Sequence, residues 1–204
     1  MSNFRKRFLV SLVAFPIIYL LLFVPLAFNV IIIIVFLACI YEWNIIFKKK
    51  NLIYFSGLLI FIIFLLISIK VYNLKNYNLN FLWLILITWL TDIGGYIFGK
   101  FIGGRKLTQI SPNKTWSGAL GSFALSQFAF LIFYLEPHFT YGFYIFVIQL
   151  FLSFIGQIGD LLMSYIKRKN NIKDSSKLIP GHGGFLDRLD GLIWIMIFGS
   201  LLFL

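Results

Sequence analysis

Residues 52–69 read LIYFSGLLIFIIFLLISI, eighteen positions without a charged side chain. As a helix rising 1.5 Å per residue this stretch would reach about 27 Å, close to the hydrocarbon thickness of a bilayer. Working outward, comparable apolar runs occupy 8–28, 30–47, 79–98, 118–135, 141–163 and 189–204, which makes seven candidate spans. The first two, taken as one helix, would reach about 60 Å, twice the membrane thickness, so a tight hairpin is expected near Asn29. Arg5, Lys6 and Arg7 ahead of an apolar run resemble a secretory signal. With no convincing small-x-small cleavage site and a second span following at once, an uncleaved signal-anchor is the expectation.

Composition agrees. The 204 residues are 60% hydrophobic and 12% charged, with a mean hydropathy of +0.93, which excludes an ordinary soluble domain. The fold expected is therefore all-α, a polytopic integral membrane bundle of about seven helices. The net charge of +11 raises the question of nucleic acid, but the placement of the cations answers it. Sixteen of the eighteen lysines and arginines fall in segments that share one side if the N-terminus is cytoplasmic; only Lys70 and Lys75 do not. The positive-inside rule then predicts a multi-pass protein of the cell inner membrane, its polar site at the cytoplasmic side and its C-terminus outside. No nucleic-acid partner is implied, and loops this basic attract the anionic headgroups of a lipid bilayer. The single cysteine, Cys39, lies in an apolar span and offers neither disulfide nor thiolate site.

Residues 1–78 read as scaffold and 79–204 as the catalytic region. Glu42, the one acidic residue of the first part, is expected in an interfacial ion pair with the nearby lysines. Three polar clusters follow: Thr91 to Tyr96 with Gly99, Gly103 and Gly104; Ser111 to Gly118 (SPNKTWSG); and Gly156 to Asp160 continuing into the island 164–190, SYIKRKNNIKDSSKLIPGHGGFLDRLD. Threading the spans brings Asp92, Asp160, Asp174, Asp187 and Asp190, five of the seven carboxylates, to one side. An ionised carboxylate near hydrocarbon needs a cavity, a partner or a metal. For Asp92 or Asp160 alone an ion pair with Lys or Arg is an equal alternative.

Asp187 and Asp190 are three residues apart, hence on one helix face, where a divalent cation relieves their repulsion. Oxygen-only ligands favour Mg²⁺ over zinc; Arg188 is the competing neutraliser. Glycines 183 and 184, in the run 180–184, allow backbone N–H groups to approach a phosphate, with Lys167, Arg168, Lys173 and Lys177 upstream. His182 is read as a donor to a phosphate oxygen, with general acid and metal ligand left open. Ser111, Lys114 and Thr115 precede a span and present a helix N-terminus to a nucleotide, or else form an interfacial cap with Trp116 as a belt anchor. His138 is an ordinary loop residue.

The island resembles the signature of the membrane-bound phosphatidate cytidylyltransferases, S-x-apolar-K-R-x4-K-D-x-small-x2-apolar-P-x-H-G-G-apolar-x-D-R-apolar-D, and meets every defined position. SPNKTWSG and the stretch at Asp92 also look like family elements. Gly191 stands where the family often has serine. The resemblance implies transfer of CMP from CTP to phosphatidic acid, giving CDP-diacylglycerol and pyrophosphate, with Mg²⁺ and a monovalent cation such as K⁺ as candidate cofactors and a homodimer as assembly. It implies catalytic roles for Asp160, Lys167, Arg168, Asp187, Arg188 and Asp190, with metal on Asp160, Asp187 and Asp190. Substrate contacts fall to Asp92, Ser111, Lys114, Thr115, Lys173, Asp174, His182, Gly183 and Gly184. A CDP-alcohol phosphotransferase is the second enzyme reading, though Asp190-Gly191 is not followed by Ala-Arg. An ion- or proton-coupled transporter is the alternative from another class.

Overall fold

The computed structural model describes residues 24–73, 78–131, 142–179 and 183–202. Within these the chain forms α1 (Pro25–Ile46), α2 (Leu52–Asn73), α3 (Asn78–Phe101), α4 (Trp116–Ser126) running into a 3₁₀ turn (Gln127–Phe130), α5 (Tyr144–Lys169) and α6 (Leu186–Ser200). Among the described residues there are no strands, only isolated bridges between Lys106 and Thr115 and between Ile179 and Gly183. The helices α1, α2, α3 and α5 are long and apolar enough to cross a membrane.

The expected segmentation needs correcting in three places. No hairpin forms at Asn29, because α1 runs through it; the helix starts at Pro25, whose fixed φ and missing N–H suit a first turn, after an extended Val24. In the run 118–135, α4 supplies the residues up to Ser126 and then tightens into the 3₁₀ turn at Gln127, Leu131 is helical again, and 132–135 lie outside the described residues. At that turn the side chains of Ser126 and Gln127 both bond back to the Phe123 carbonyl, competing with the backbone ladder. Finally, α5 continues to Lys169, so the first six residues of the polar island are helix. Lys167, Arg168 and Lys169 lie in its last turn, where cations complement the helix dipole. The expected span 8–28 falls mostly outside the described residues, as do Lys75 and His138.

The chain divides into two compact units: residues up to Asn78 with Lys167–Leu189, and Leu79–Ile166 with Asp190–Leu204. In the first unit α1 and α2 form an antiparallel pair. Phe28 stacks on Tyr72 with ring centroids 3.8 Å apart, while at the other end Trp43 lies edge-on to Phe61 and donates to the Tyr54 carbonyl at 2.9 Å. The Trp43 ring occupies the place a Cβ on Gly57 would need, so glycine is what lets the indole seat between the helices. Lys48, Lys49 and Lys50 are exposed in the connecting turn.

In the second unit glycines again set the packing, in the manner of small-residue interfaces between membrane helices. Gly94, Gly95 and Gly99 of α3 face Gly118, Gly121 and Ser122 of α4 so closely that added Cβ atoms would press on backbone or the Ser122 and Thr115 hydroxyls. Gly156 and Gly159 of α5 admit Ile195 and Trp194 of α6. The fully buried Gln149 accepts from Trp83 Nε1 at 2.9 Å and from the Phe130 amide at 2.8 Å.

Candidate active site

The glycine contacts of the second unit bring three separate segments around one cavity of about 290 Å³. Asp92 comes from α3, Ser111, Lys114 and Thr115 from the segment entering α4, and Gln157 and Asp160 from α5. The segment 105–116 is closed on itself by Leu107 N to Lys114 O at 2.8 Å and Trp116 N to Arg105 O at 3.1 Å. Ser117 Oγ also donates to the Gly103 carbonyl. Thr115 is the N-cap of α4, its hydroxyl accepting from the Gly118 amide at 3.1 Å. Lys114 thereby points at Asp160 and pairs with it, both side chains roughly a quarter exposed (27% and 29%). The ion pair left open for Asp160 is thus present. It lies in a cavity wall, where a polyanion can reach the lysine and a cation the aspartate.

The first unit holds the rest of the island. After α5, Asn171 adopts φ 59 and the chain turns back. Ile179 N donates to Gly183 O at 2.8 Å, and Gly183 takes φ 85. His182, Pro180 and Gly181 lie outside the described residues. Asp187, in the first turn of α6, gathers three donors: Lys167 Nζ at 2.6 Å, Ser175 N at 2.9 Å and Gly184 N at 3.0 Å. Burial alone would push its carboxyl up. Lys167 and the two amides outweigh burial and hold it below the usual carboxylate range.

Glu42 departs from expectation. It is fully buried and meets none of the lysines it was assigned to. Its Oε1 accepts from Ser176 Oγ (2.6 Å) and Phe185 N (2.8 Å), and its Oε2 from Ser175 Oγ (2.9 Å) and Leu186 N (2.7 Å). Those amides are the otherwise unpaired donors that open α6, at the positive end of its dipole, so the carboxylate finds there a better partner than a solvated ammonium. Gly184 is glycine because a Cβ would collide with this carboxylate and with Ser175 Oγ.

Of the residues singled out from sequence, Asp92, Ser111, Lys114, Thr115 and Asp160 share the cavity, while Lys167, Gly183, Gly184 and Asp187 share the loop. Arg168, Lys173, Asp174 and Arg188 are exposed, Arg168 donating to the Ile172 carbonyl at 3.0 Å. Asp190 accepts from the Gly191 amide at 2.9 Å. Sequence reasoning missed Glu42, Ser175 and Ser176 as one clamp, and Gln157 as a cavity residue.

Fold and sites together define a helical membrane protein with a glycine-framed, charged cavity in one unit and a charged, hydrogen-bonded loop in the other. Residues 53–204 match the family model described as the Cytidylyltransferase family, and the chain belongs to that family. It is 39% identical over 206 residues to a phosphatidate cytidylyltransferase of Rickettsia bellii (strain RML369-C), covering 94% of this chain and 87% of that one. It is 41% identical over 133 residues to a phosphatidate cytidylyltransferase of Bacillus subtilis (strain 168), covering 64% of this chain and 49% of that one. A relative of the same name from Brucella suis biovar 1 (strain 1330) is 46% identical over 108 residues, 52% of this chain and 40% of its own. Against the Bacillus and Brucella proteins, then, the match spans half or less of the relative's length.

Proposed function

We propose that the protein is a membrane-bound CTP:phosphatidate cytidylyltransferase. A phosphate oxygen of phosphatidate attacks the α-phosphorus of CTP, the bond from that phosphorus to the oxygen bridging to the β-phosphate breaks, and CDP-diacylglycerol and pyrophosphate result. The observation that carries this reading is the cavity in which Lys114, paired with Asp160, faces a space also lined by Asp92 and Ser111, in a chain of this family. The nucleophile is a phosphate monoester already ionised at neutral pH, so the site has to position and neutralise rather than deprotonate. Lys114 does this in the cavity. Lys167, Arg168, Lys173 and Arg188 hold phosphates, and Asp92, Ser111, Thr115, Asp174, His182, Gly183 and Gly184 complete the substrate contacts.

Mg²⁺ belongs to the same proposal, with Asp160, Asp187 and Asp190 as its candidate oxygen donors, a donor type that suits a hard cation, although among the described residues no three acidic, histidine or cysteine side chains are grouped to hold an ion. Asp160 is part-exposed to the cavity but already paired with Lys114, so an ion there would have to share its carboxylate with the lysine. Asp187 has three of its roughly four lone-pair sites taken by Lys167, Ser175 and Gly184, and offers an ion what remains. When bound, the ion would neutralise charge on the α-phosphate and the departing pyrophosphate. Assistance by K⁺, a homodimer, an inner-membrane site facing the cytoplasm and seven spans are further parts of the proposal.

Turnover by purified protein in mixed micelles tests it: phosphatidate, each of the four ribonucleoside triphosphates in turn, and Mg²⁺ or EDTA, with nucleotide-linked lipid read directly. The expected result is CDP-diacylglycerol from CTP alone, abolished by EDTA. No product from folded protein, with a known synthase active alongside, would overturn the reading.

A further inference from the structure

The clamp at Glu42 joins a helix read as scaffold to the loop that carries the signature. Glu42 lies outside the residues 53–204 that match the family model, is 0% exposed, and bonds residues 133 to 144 positions away. Such a carboxylate survives burial only because all its bonds are made. The donors belong to two short pieces of chain, Ser175–Ser176 and Phe185–Leu186. Asp187 also holds the first piece, through the Ser175 amide, and the residue that leads into the second, through the Gly184 amide. Ser175 is therefore fixed twice, by its hydroxyl to Glu42 and by its amide to Asp187. The three consecutive amides at 184–186 are divided between the same two carboxylates. The frame that aims Asp187 and its partner Lys167 thus rests on Glu42.

We infer that Glu42 is a positioning residue for the transfer reaction, acting through the Ser175–Ser176 and Phe185–Leu186 segments to fix the Asp187–Lys167 pair. This rests on the function proposed above, and it gives α1 a part in the reaction. Glu42 touches neither the reacting phosphates nor the lipid; its effect is geometric. Replacing it with glutamine keeps the shape but turns an NH₂ group toward two donors, so half of the clamp becomes repulsive.

The test is Glu42→Gln with Ser176→Ala as a milder companion that removes one donor and leaves the carboxylate in place. Two readouts are taken on folded, monodisperse protein in micelles: kcat and KM for CTP and phosphatidate, and amide hydrogen exchange of peptides covering 173–188. Expected for Glu42→Gln is a fall in kcat of about 10²-fold with KM for CTP changed less than about threefold, as for a displaced but intact site. Exchange at Phe185 and Leu186 should rise while peptides from α3 and α4 stay protected. Ser176→Ala should fall between, about threefold to tenfold in kcat. If Glu42→Gln does not fold, Ser176→Ala is read alone, and wild-type kcat there sinks the inference.

Three results overturn it: faster exchange with unchanged kcat, which makes the clamp structural only; lost kcat with unchanged exchange, which takes the effect out of the loop; or no change in either. A wild-type protein without cytidylyltransferase turnover would instead remove the proposed function, and is told apart because the exchange arm needs no activity.

Discussion

The Gly184→Ala variant gives the sharpest test of the clamp's energetics. A Cβ on residue 184 would stand 2.5 and 2.6 Å from the two Glu42 oxygens and closer still to Ser175 Oγ, whereas ordinary contact begins near 3.4 Å. Relief requires the carboxylate and the loop to separate by at least about 0.8 Å, carrying bonds now 2.6–2.9 Å long to about 3.4–3.7 Å or more, past the ordinary hydrogen-bond range. Hydrogen bonds to a charged group contribute about 1.5–3 kcal/mol each. Loss of two of the four therefore costs about 3–6 kcal/mol, and small loop shifts bring the expectation to the lower end. Thermal or denaturant unfolding in micelles would measure it, with Gly103→Ala and Gly104→Ala as controls. Those glycines have φ 64 and 104 but nothing within 4 Å of a Cβ, so only the left-handed backbone penalty of about 1–2 kcal/mol applies. A Gly184→Ala protein no less stable than these controls would refute the reasoning, because crowding against Glu42 and the Ser175 hydroxyl bonded to it is the cause it invokes.

Other substitutions probe the remaining contacts. Lys114→Met removes a cavity cation from beside Asp160 and should lower kcat/KM for CTP by about 10²-fold or more, measured by the micelle assay; activity within about threefold of wild type would take Lys114 out of the site. Asp187 has a folded pKa below its unfolded one, so its stabilisation is complete above the unfolded value and lost as pH falls through the folded one. Asp187→Asn should flatten that acid limb in melting curves recorded from neutral pH downward, and an unchanged limb would count against the Lys167 partnership. Gly57→Ala forces the Trp43 ring out of its seat and should destabilise the α1–α2 pair by about 1–3 kcal/mol, read as a shift in Trp fluorescence and in melting.

What was legible in the sequence followed from patterns with a single physical reading. Apolar runs, broken only by Asp92 in α3 and Asp160 in α5, locate α2, α3 and the start of α5 within a few residues, and Pro25 marks a helix start once the run is not forced into two hairpin arms. The SPNKT segment was readable as a cap or a ligand site, and Thr115 and Lys114 divide those roles between them. Asp92 and Asp160 were singled out by burial cost, and the cavity shows what relieves it. The glycines were legible as close approaches but not as to what. Gly94, Gly95, Gly99, Gly118 and Gly121 serve helix packing, and Gly184 serves a carboxylate from another helix, which no local pattern reveals. Glu42 had a signal that was read the wrong way. Its neighbours three and four positions off are Ala38, Cys39, Ile45 and Ile46, all apolar, and the nearest lysine is six residues on. A helical ion pair was therefore out of reach, and a carboxylate with no local partner had to find a distant one.

The same logic explains why the island survives inside so apolar a chain. Its polar groups do not repay burial one at a time. Glu42, Asp187 and Lys167 are tolerable because each charge is met by several donors or a counter-charge at once, and removing any member strands the others. Such a network favours one geometry over nearby ones more than it favours the folded state over the unfolded. That is the property a phosphoryl-group transfer needs, since a misplacement on the order of 1 Å costs about 10²-fold in rate. Stability and rate should therefore separate along this chain: substitutions at Gly57 should lower melting with little change in kcat per folded molecule, and substitutions at Ser176 should do the reverse. Equal effects on both quantities at both positions would mean that the clamp is ordinary packing and that positioning lies elsewhere.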